Sequence, residues 1–358
     1  TTFINNQLAV SFEGAQNVSA QHLSAFTNCQ FSIDGNAHFP QGTSEQDKLV
    51  RLENVNGVRF YNNTFTSSRG ATIVDKGIGI QANNSTFKIM PSCECTVPED
   101  QSCPTECYGK NKFDGLTYGI LAVMGSGIFI NEAEFTNTLN GALLWSCTNP
   151  TVTRNQFNSI NAGFGLGYGL YLNGCDGYTI EENLFNKGHV GLFVNASGSN
   201  ANKIYKNFFN STIGTPVNNQ AASVALGNND GLEYSCNRFN GNIFDLAVCD
   251  NGTIKTEQGT DNDPPGNMFL TTSCAPNSTN RIHIESASSY TYHYFSDDDD
   301  TDPRECISEN VNKMGNNNFF DEDNYCPSKI SNPVIPPLEF VFTPSFREVF
   351  QQQSSCTA

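Results

Sequence analysis

This sequence predicts an all-β chain wound as a right-handed parallel β-helix, and three observations carry the prediction. Asn-x-Phe recurs along the chain, Gly-apolar-x-apolar tetrapeptides precede it at a near-constant interval, and no window of helix length shows 3.6-residue periodicity. The recurring phenylalanines are Phe31, Phe65, Phe87, Phe113, Phe135, Phe157, Phe185, Phe209, Phe239 and Phe269, spaced by 34, 22, 26, 22, 22, 28, 24, 30 and 30 residues. A unit near 22 residues with insertions of varying length describes a solenoid of constant strands and unequal loops.

The tetrapeptides are Gly119-Ile120-Leu121-Ala122, Gly141-Ala142-Leu143-Leu144, Gly169-Leu170-Tyr171-Leu172, Gly191-Leu192-Phe193-Val194 and, with Ser for Gly, Ser223-Val224-Ala225-Leu226. From the first residue to the next Phe is 16 residues in four cases and 18 after Gly191. Alternation of aliphatic residues with period 2, broken by Asn and Gly, means short strands joined by turns.

Aligned on the Phe, the repeats form columns. Five residues before it stand Phe60, Tyr108, Ile130, Val152, Ile180, Ile204 and Tyr234, an inward stack. Two before it stand Asn63, Asn111, Asn155, Asn183, Asn207, Asn237 and Asn267, interrupted by Ser85 and Ala133. Amides repeated at the ~4.8 Å strand spacing can bond along the axis as a ladder; the alternative is that each Asn eases its own left-handed turn. Three before the Phe, signs alternate through Lys110, Glu132, Arg154, Glu182 and Lys206, which places opposite charges on neighbouring turns of the coil as exposed pairs.

The 358 residues carry a formal charge of −17 from 19 Lys+Arg and 36 Asp+Glu. No basic stripe exists to displace counterions, which excludes a nucleic-acid backbone binder. No apolar run reaches the ~18 residues of a membrane span. The 13 cysteines, without paired Cys-x2-Cys knuckles, point to an oxidising compartment with several disulfides, and the odd number leaves one free or paired to another chain. Sequons at Asn17, Asn62, Asn195, Asn210, Asn251 and Asn277 agree with a secreted or cell-surface glycoprotein.

Cys93, Cys95, Cys103 and Cys107 fall in an insertion over residues 91–109 and read as a disulfide-stapled loop rather than a zinc site. Cys147 and Cys175 each lie six residues after their Gly, hence one above the other, where a disulfide and a reduced stack are both open. The coil is expected over residues 1–290 and an irregular capping or side-packing segment over 291–358. Acidic runs at 297–302 and 321–323 read as solvated loops; calcium is the one ion they could attract, and no cofactor or metal site is expected. The tail over 327–350, rich in Pro and Phe, would lie along the coil or cap its open end.

Three segments carry a resemblance: Leu52-Glu53-Asn54-Val55-Asn56-Gly57-Val58-Arg59-Phe60, Phe113-Asp114-Gly115-Leu116-Thr117-Tyr118-Gly119-Ile120 and Glu233-Tyr234-Ser235-Cys236-Asn237-Arg238-Phe239. They resemble the pectin-lyase-like superfamily of right-handed β-helices and, more narrowly, the repeats of large type IX-secreted surface proteins of Bacteroidota. The resemblance spans residues 45–295 and implies the coil, a fold that hosts enzymes and non-enzymes alike. The opening Phe3-Ile4-Asn5-Asn6 reads as the inside of a repeat, which suggests a portion of a longer polypeptide.

A search for chemistry finds weak candidates. Asp176 and Asp230 lie two turns of the coil apart, a separation suited to paired carboxylates, but each precedes Gly, the composition of a tight turn. Gly188-His189-Val190 only partly matches the Gly-His-Gly of polygalacturonases. A binding role has a better basis. If the first and third residues after each Gly point inward, then Leu121, Leu143, Trp145, Tyr171 and Phe193 form an outward apolar strip. Of these, Leu143, Trp145, Tyr171 and Phe193 are the candidate binding residues, unless the Phe-rich tail covers them. The expected function is a non-catalytic, adhesin-type surface module that binds polysaccharide or other surface proteins. The alternatives are an extracellular polysaccharide lyase or glycoside hydrolase, and a passive stalk of a giant surface protein.

Overall fold

The computed structural model describes residues 1–14, 24–35, 47–70, 75–93, 104, 107–160, 167–210, 221–270, 280–286, 288–304 and 306–330. The chain winds as a right-handed parallel β-helix of three sheets, with ten, ten and eight strands, in which each strand pairs with its counterpart one turn of the coil (a rung) away. The described residues contain a single helix, Glu322–Tyr325. No described helix is long and apolar enough to cross a membrane.

Sheet I holds the Phe column. Strands Thr64–Ser67, Lys112–Asp114, Glu134–Thr136, Gln156–Ile160 and Leu184–Gly188 pair in register. Their Phe rings therefore stack at 4.8, 4.9, 4.8 and 4.8 Å between centroids. That distance is the strand spacing itself, so the backbone ladder sets the ring stack. The stack continues from Phe3 to Phe269.

Phe87 corrects the alignment. It lies in Thr86–Met90 of sheet III, where it pairs with Val58, and Phe65 pairs directly with Phe113. The Cys-rich insertion thus lengthens one rung, whose length imitates two. Tyr108 leaves the inward column for the same reason: Tyr108–Gly109 pairs antiparallel with Ser92–Cys93 at the base of the insertion. The inward residue on that rung is Ile89, between Phe60 and Ile130.

Sheet II carries the tetrapeptides. Their Gly answers to close packing against the backbone carbonyl of the next rung and the Phe ring, not to a turn. A Cβ on Gly119 would lie 2.7 Å from Phe135 Cδ1, and one on Gly141 2.6 Å from Phe157 Cδ1, closer than carbon atoms approach. Ser223 is not the Gly equivalent, because it pairs with Leu192 and points inward, 2.9 Å from the Tyr234 hydroxyl.

The Asn column is a ladder. Asn155, Asn183, Asn207 and Asn237 each send Nδ2 to the Oδ1 of the next Asn, at 3.0, 3.0, 3.1 and 3.0 Å. Their backbone N–H groups reach the same oxygens at 2.9, 2.9, 3.0 and 3.0 Å. All four residues are buried, so the ladder satisfies polar groups that water cannot reach. It is broken at Ala133, whose N–H still reaches Asn155 Oδ1.

The charge column occupies the preceding position, where Glu132, Arg154, Glu182 and Lys206 all have φ of 54–56°. Arg154 bridges the rungs, with Nε 3.0 Å from Glu182 Oε2 and Nη1 3.8 Å from Glu132 Oε1. The expectation of exposed pairs is wrong: the Arg154, Glu132 and Glu182 side chains are only 7, 8 and 3 % exposed. Tyr108 donates to Glu132, and the described part of the tail lies over Arg154 and Lys206. Cys326 is disulfide-bonded to Cys236, and Lys206 Nζ donates to the Cys326 carbonyl at 2.6 Å. Tyr205 donates to the Pro327 carbonyl at 2.8 Å and Arg154 Nη2 to the Ile330 carbonyl at 3.3 Å.

Past residue 290 the chain still forms parallel strands. Tyr290–Phe295 pairs with Val311–Asn316 and with Glu257–Gln258, and Tyr290, Tyr292 and Val311 join the main core.

Candidate functional site

The outward face of sheet II is the site the sequence points to. Its strands, such as Tyr118–Val123, Asn140–Trp145, Tyr168–Asn173 and Val190–Asn195, are six residues long. Their third and fifth residues point into the core, and the Gly at the second position faces inward as well. This breaks the period-2 alternation there and leaves the first, fourth and sixth residues as three outward columns. One runs Tyr118, Asn140, Tyr168, Val190; the next Leu121, Leu143, Tyr171, Phe193; the last Val123, Trp145, Asn173, Asn195.

The four candidate binding residues fall in two columns. Leu143 and Tyr171 pair across adjacent rungs and are half-buried. Trp145 is 52 % exposed and pairs with Asn173, one rung and two residues from Tyr171. Asn195 donates to Asn173 Oδ1 at 3.0 Å, which continues the Trp145 column as an amide pair. Burial pushes the Tyr171 hydroxyl above its ordinary pKa, partly offset by its hydrogen bond with Asn195. Phe193 is not available to a ligand. It is 3 % exposed, packed edge-on against Tyr168 and Tyr171 with centroids 5.0 and 4.7 Å away. It belongs to a second apolar cluster with Val190, Ala221, Val224 and Ala247 on this outer face.

The Phe-rich part of the tail that the sequence places over this strip lies in 331–358, outside the described residues; the described residues up to 330 lie on the charge column. The signal that sequence reading missed is the amide chemistry of the wall, visible as Asn at the sixth strand position in Asn173 and Asn195.

The carboxylate candidates are turn residues. Asp176 Oδ1 accepts from the Gly177 N–H at 2.8 Å and its Oδ2 from Asn200 Nδ2 at 2.6 Å, with Gly177 at φ +66°. Asp230 is exposed, and its N–H donates to Asn228 Oδ1 at 3.1 Å. A Cβ on the following Gly231 would meet the Asn200 carbonyl oxygen at 1.8 Å, which fixes that Gly as a packing requirement.

Cys147 and Cys175 stack on adjacent rungs, as their spacing predicts, but they are free thiols and both fully buried. A disulfide between them is therefore incorrect, and the reduced stack is what forms. Their thiols donate to carbonyls, Cys175 to Leu144 at 3.2 Å and Cys147 to Trp145 at 3.5 Å. The hydrogen bond to Cys147 and burial push the Cys175 thiol strongly upward, which keeps it protonated and unreactive. In the insertion, Cys93 and Cys107 are in disulfides, while Cys95 and Cys103 lie outside the described residues. No group of three or more His, Cys, Asp or Glu among the described residues could hold a metal ion.

Among solved structures, the periplasmic alginate epimerase AlgG is similar at 10 % identity, covering 83 % of this chain and 79 % of that one, with a TM-score of 0.32. Two structures of PfbA, a surface adhesin of Streptococcus pneumoniae, are similar at 11 and 13 % identity. They cover 69 and 70 % of this chain and 77 and 83 % of theirs, each with a TM-score of 0.27. Likenesses this distant say nothing about chemistry. No curated protein matches the chain. The narrower resemblance to type IX-secreted repeats gains no support from these proteins. A family model described as periplasmic copper-binding protein (NosD) matches residues 27–225, more than half of the 358 residues, and the chain belongs to that family.

Proposed function

We propose that the chain is an extracytoplasmic, non-catalytic binding module whose sheet II wall engages polysaccharide. The observation that carries this reading is Trp145, 52 % exposed on a flat sheet, with Tyr171 and the Asn173–Asn195 amide pair beside it. An indole face stacks on the apolar face of a sugar ring, and side-chain amides both donate to and accept from hydroxyls. The parallel ladders hold these groups in place before a ligand arrives, so little ordering entropy is lost on binding. The disulfides and the periplasmic description of the family support a location outside the cytoplasm.

The carboxylate pair behind the enzyme reading gains no support from its geometry. Asp176 and Asp230 are engaged in or exposed at turns, and neither forms a salt bridge with a basic residue among the described residues. Copper, named in the family description, has a poor fit to the described residues. Among them the stacked free thiols of Cys147 and Cys175 are sealed in the core and hydrogen-bonded to carbonyls.

The test is a glycan array probed with the whole chain and with Trp145→Ala. Binding by the wild type, reduced ~10-fold or more in the variant at unchanged melting temperature, is expected. An array that stays silent, or signals indifferent to Trp145, overturns the reading.

A further inference from the structure

We infer that the ligand of the sheet II wall is a neutral polysaccharide, and that polyuronates and sulfated chains are excluded. This rests on the polysaccharide-binding reading above. The observation behind it is an absence of charge confined to one face. The protein as a whole carries −17. Yet from strand Ile78–Asn83 through Phe244–Val248, seven rungs in register, no outward position of sheet II is Lys, Arg, His, Asp or Glu. Charge returns only beyond both ends, at Lys48, Arg51, Glu53 and Glu13 on one side and at His283 and Glu285 on the other. His189, next to Val190 at the margin, is kept neutral by burial, which lowers its imidazole pKa.

In place of charge the wall carries amides and phenols. Its amides are Gln81, Asn140, Asn173 and Asn195; the Gln81 and Asn140 oxygens are buried, and the Asn173–Asn195 pair is the one beside Trp145. Tyr118, between Ile78 and Asn140 in its column, has a pKa raised by burial alone, with no charged neighbour acting on it. Such a surface can match hydroxyls, which donate and accept without net charge. A uronate or sulfated chain would bring an anion with each repeat to a face without a single cation. Its desolvation would go unreturned, and the overall negative field would oppose its approach. Charge on both flanks and none between is a specificity device acting through mismatch.

The experiment titrates the whole chain with a neutral probe set (cellohexaose, mannan, xylan) and an anionic set (polygalacturonate, alginate, heparin) at low and high salt, beside Trp145→Ala and Leu143→Lys. At least one neutral probe should bind in a Trp145-dependent way, with affinity changing less than ~2-fold with salt. Anionic probes should bind at least ~10-fold more weakly to the wild type and gain in Leu143→Lys, most at low salt. Trp145-dependent binding of an anionic probe to the wild type, equal to or tighter than that of every neutral one, overturns this inference and leaves the polysaccharide reading standing. Failure of both sets to bind overturns the polysaccharide reading and this inference with it.

Discussion

Arg154 Nε lies 3.0 Å from Glu182 Oε2 on the next rung, and both side chains are almost sealed from water. Removing one member of such a pair strands the other charge in a medium that cannot solvate it. Arg154→Met should therefore cost about 3–5 kcal/mol, measured as a fall in the urea midpoint at unchanged slope. Adding Glu182→Gln to that variant should recover part of the loss, because it neutralises one stranded carboxylate. Additive effects in this cycle would show that the pair is not coupled.

The gap in the amide ladder at Ala133 offers a gain of stability. Ala133 is buried between Asn111 and Asn155, in the position that Asn occupies on the neighbouring rungs. Ala133→Asn should restore the missing link and add about 0.5–1.5 kcal/mol, seen as a raised melting temperature. Asn183→Ala, which opens a new gap, should lose about 1–3 kcal/mol by leaving the Asn155 backbone N–H unpaired and its Nδ2 with the Ile130 carbonyl alone.

Asp245 should make stability depend on pH. It sits in sheet II in register with the Gly column, and burial pushes its carboxyl up to about 7 against the opposing effects of Asn242 and Arg281. Between its unfolded value of ~4 and 7, the folded chain keeps a proton that the unfolded chain releases. Stability contributed by this group is thus full below pH ~4, falls through that window and levels off above it. Asp245→Asn keeps an acceptor for Asn242 and should match the wild type at pH ~4. At pH ~8 it should be more stable by on the order of a few kcal/mol in denaturant titrations. Parallel wild-type and variant curves across this range would contradict the account.

The thiols of Cys147 and Cys175 should escape alkylation in the native protein while Cys29, part-exposed, reacts. Peptide mass mapping after labelling with and without urea distinguishes them. Native labelling of Cys175 would mean that its rung opens without global unfolding.

The coil and its columns are legible in the sequence because each rung assigns the same residue to the same role. Phe fills the interior, Asn bridges rungs, and Gly makes room for the ring. Phe87 misleads because an insertion gives one rung the length of two. The orientation of Trp145 and Tyr171 follows from alternation alone. Two facts lie beyond such a reading. Burial of the charge column depends on contacts such as Arg154 to Ile330, 176 residues apart, which no local pattern announces. Burial of Phe193 depends on where Tyr168 and Tyr171 turn their rings, a packing outcome rather than a periodicity.

The constant spacing of the Phe rings makes the molecule a ruler with fixed graduations. Phe113, Phe135 and Phe157 follow at 22-residue intervals with rings 4.9 and 4.8 Å apart. Duplicating one such segment would therefore extend the structure by one graduation, without bending it or disturbing what lies on either side. Reach on such a scaffold grows in whole steps, by copying, and each copy brings its own share of the outer surface.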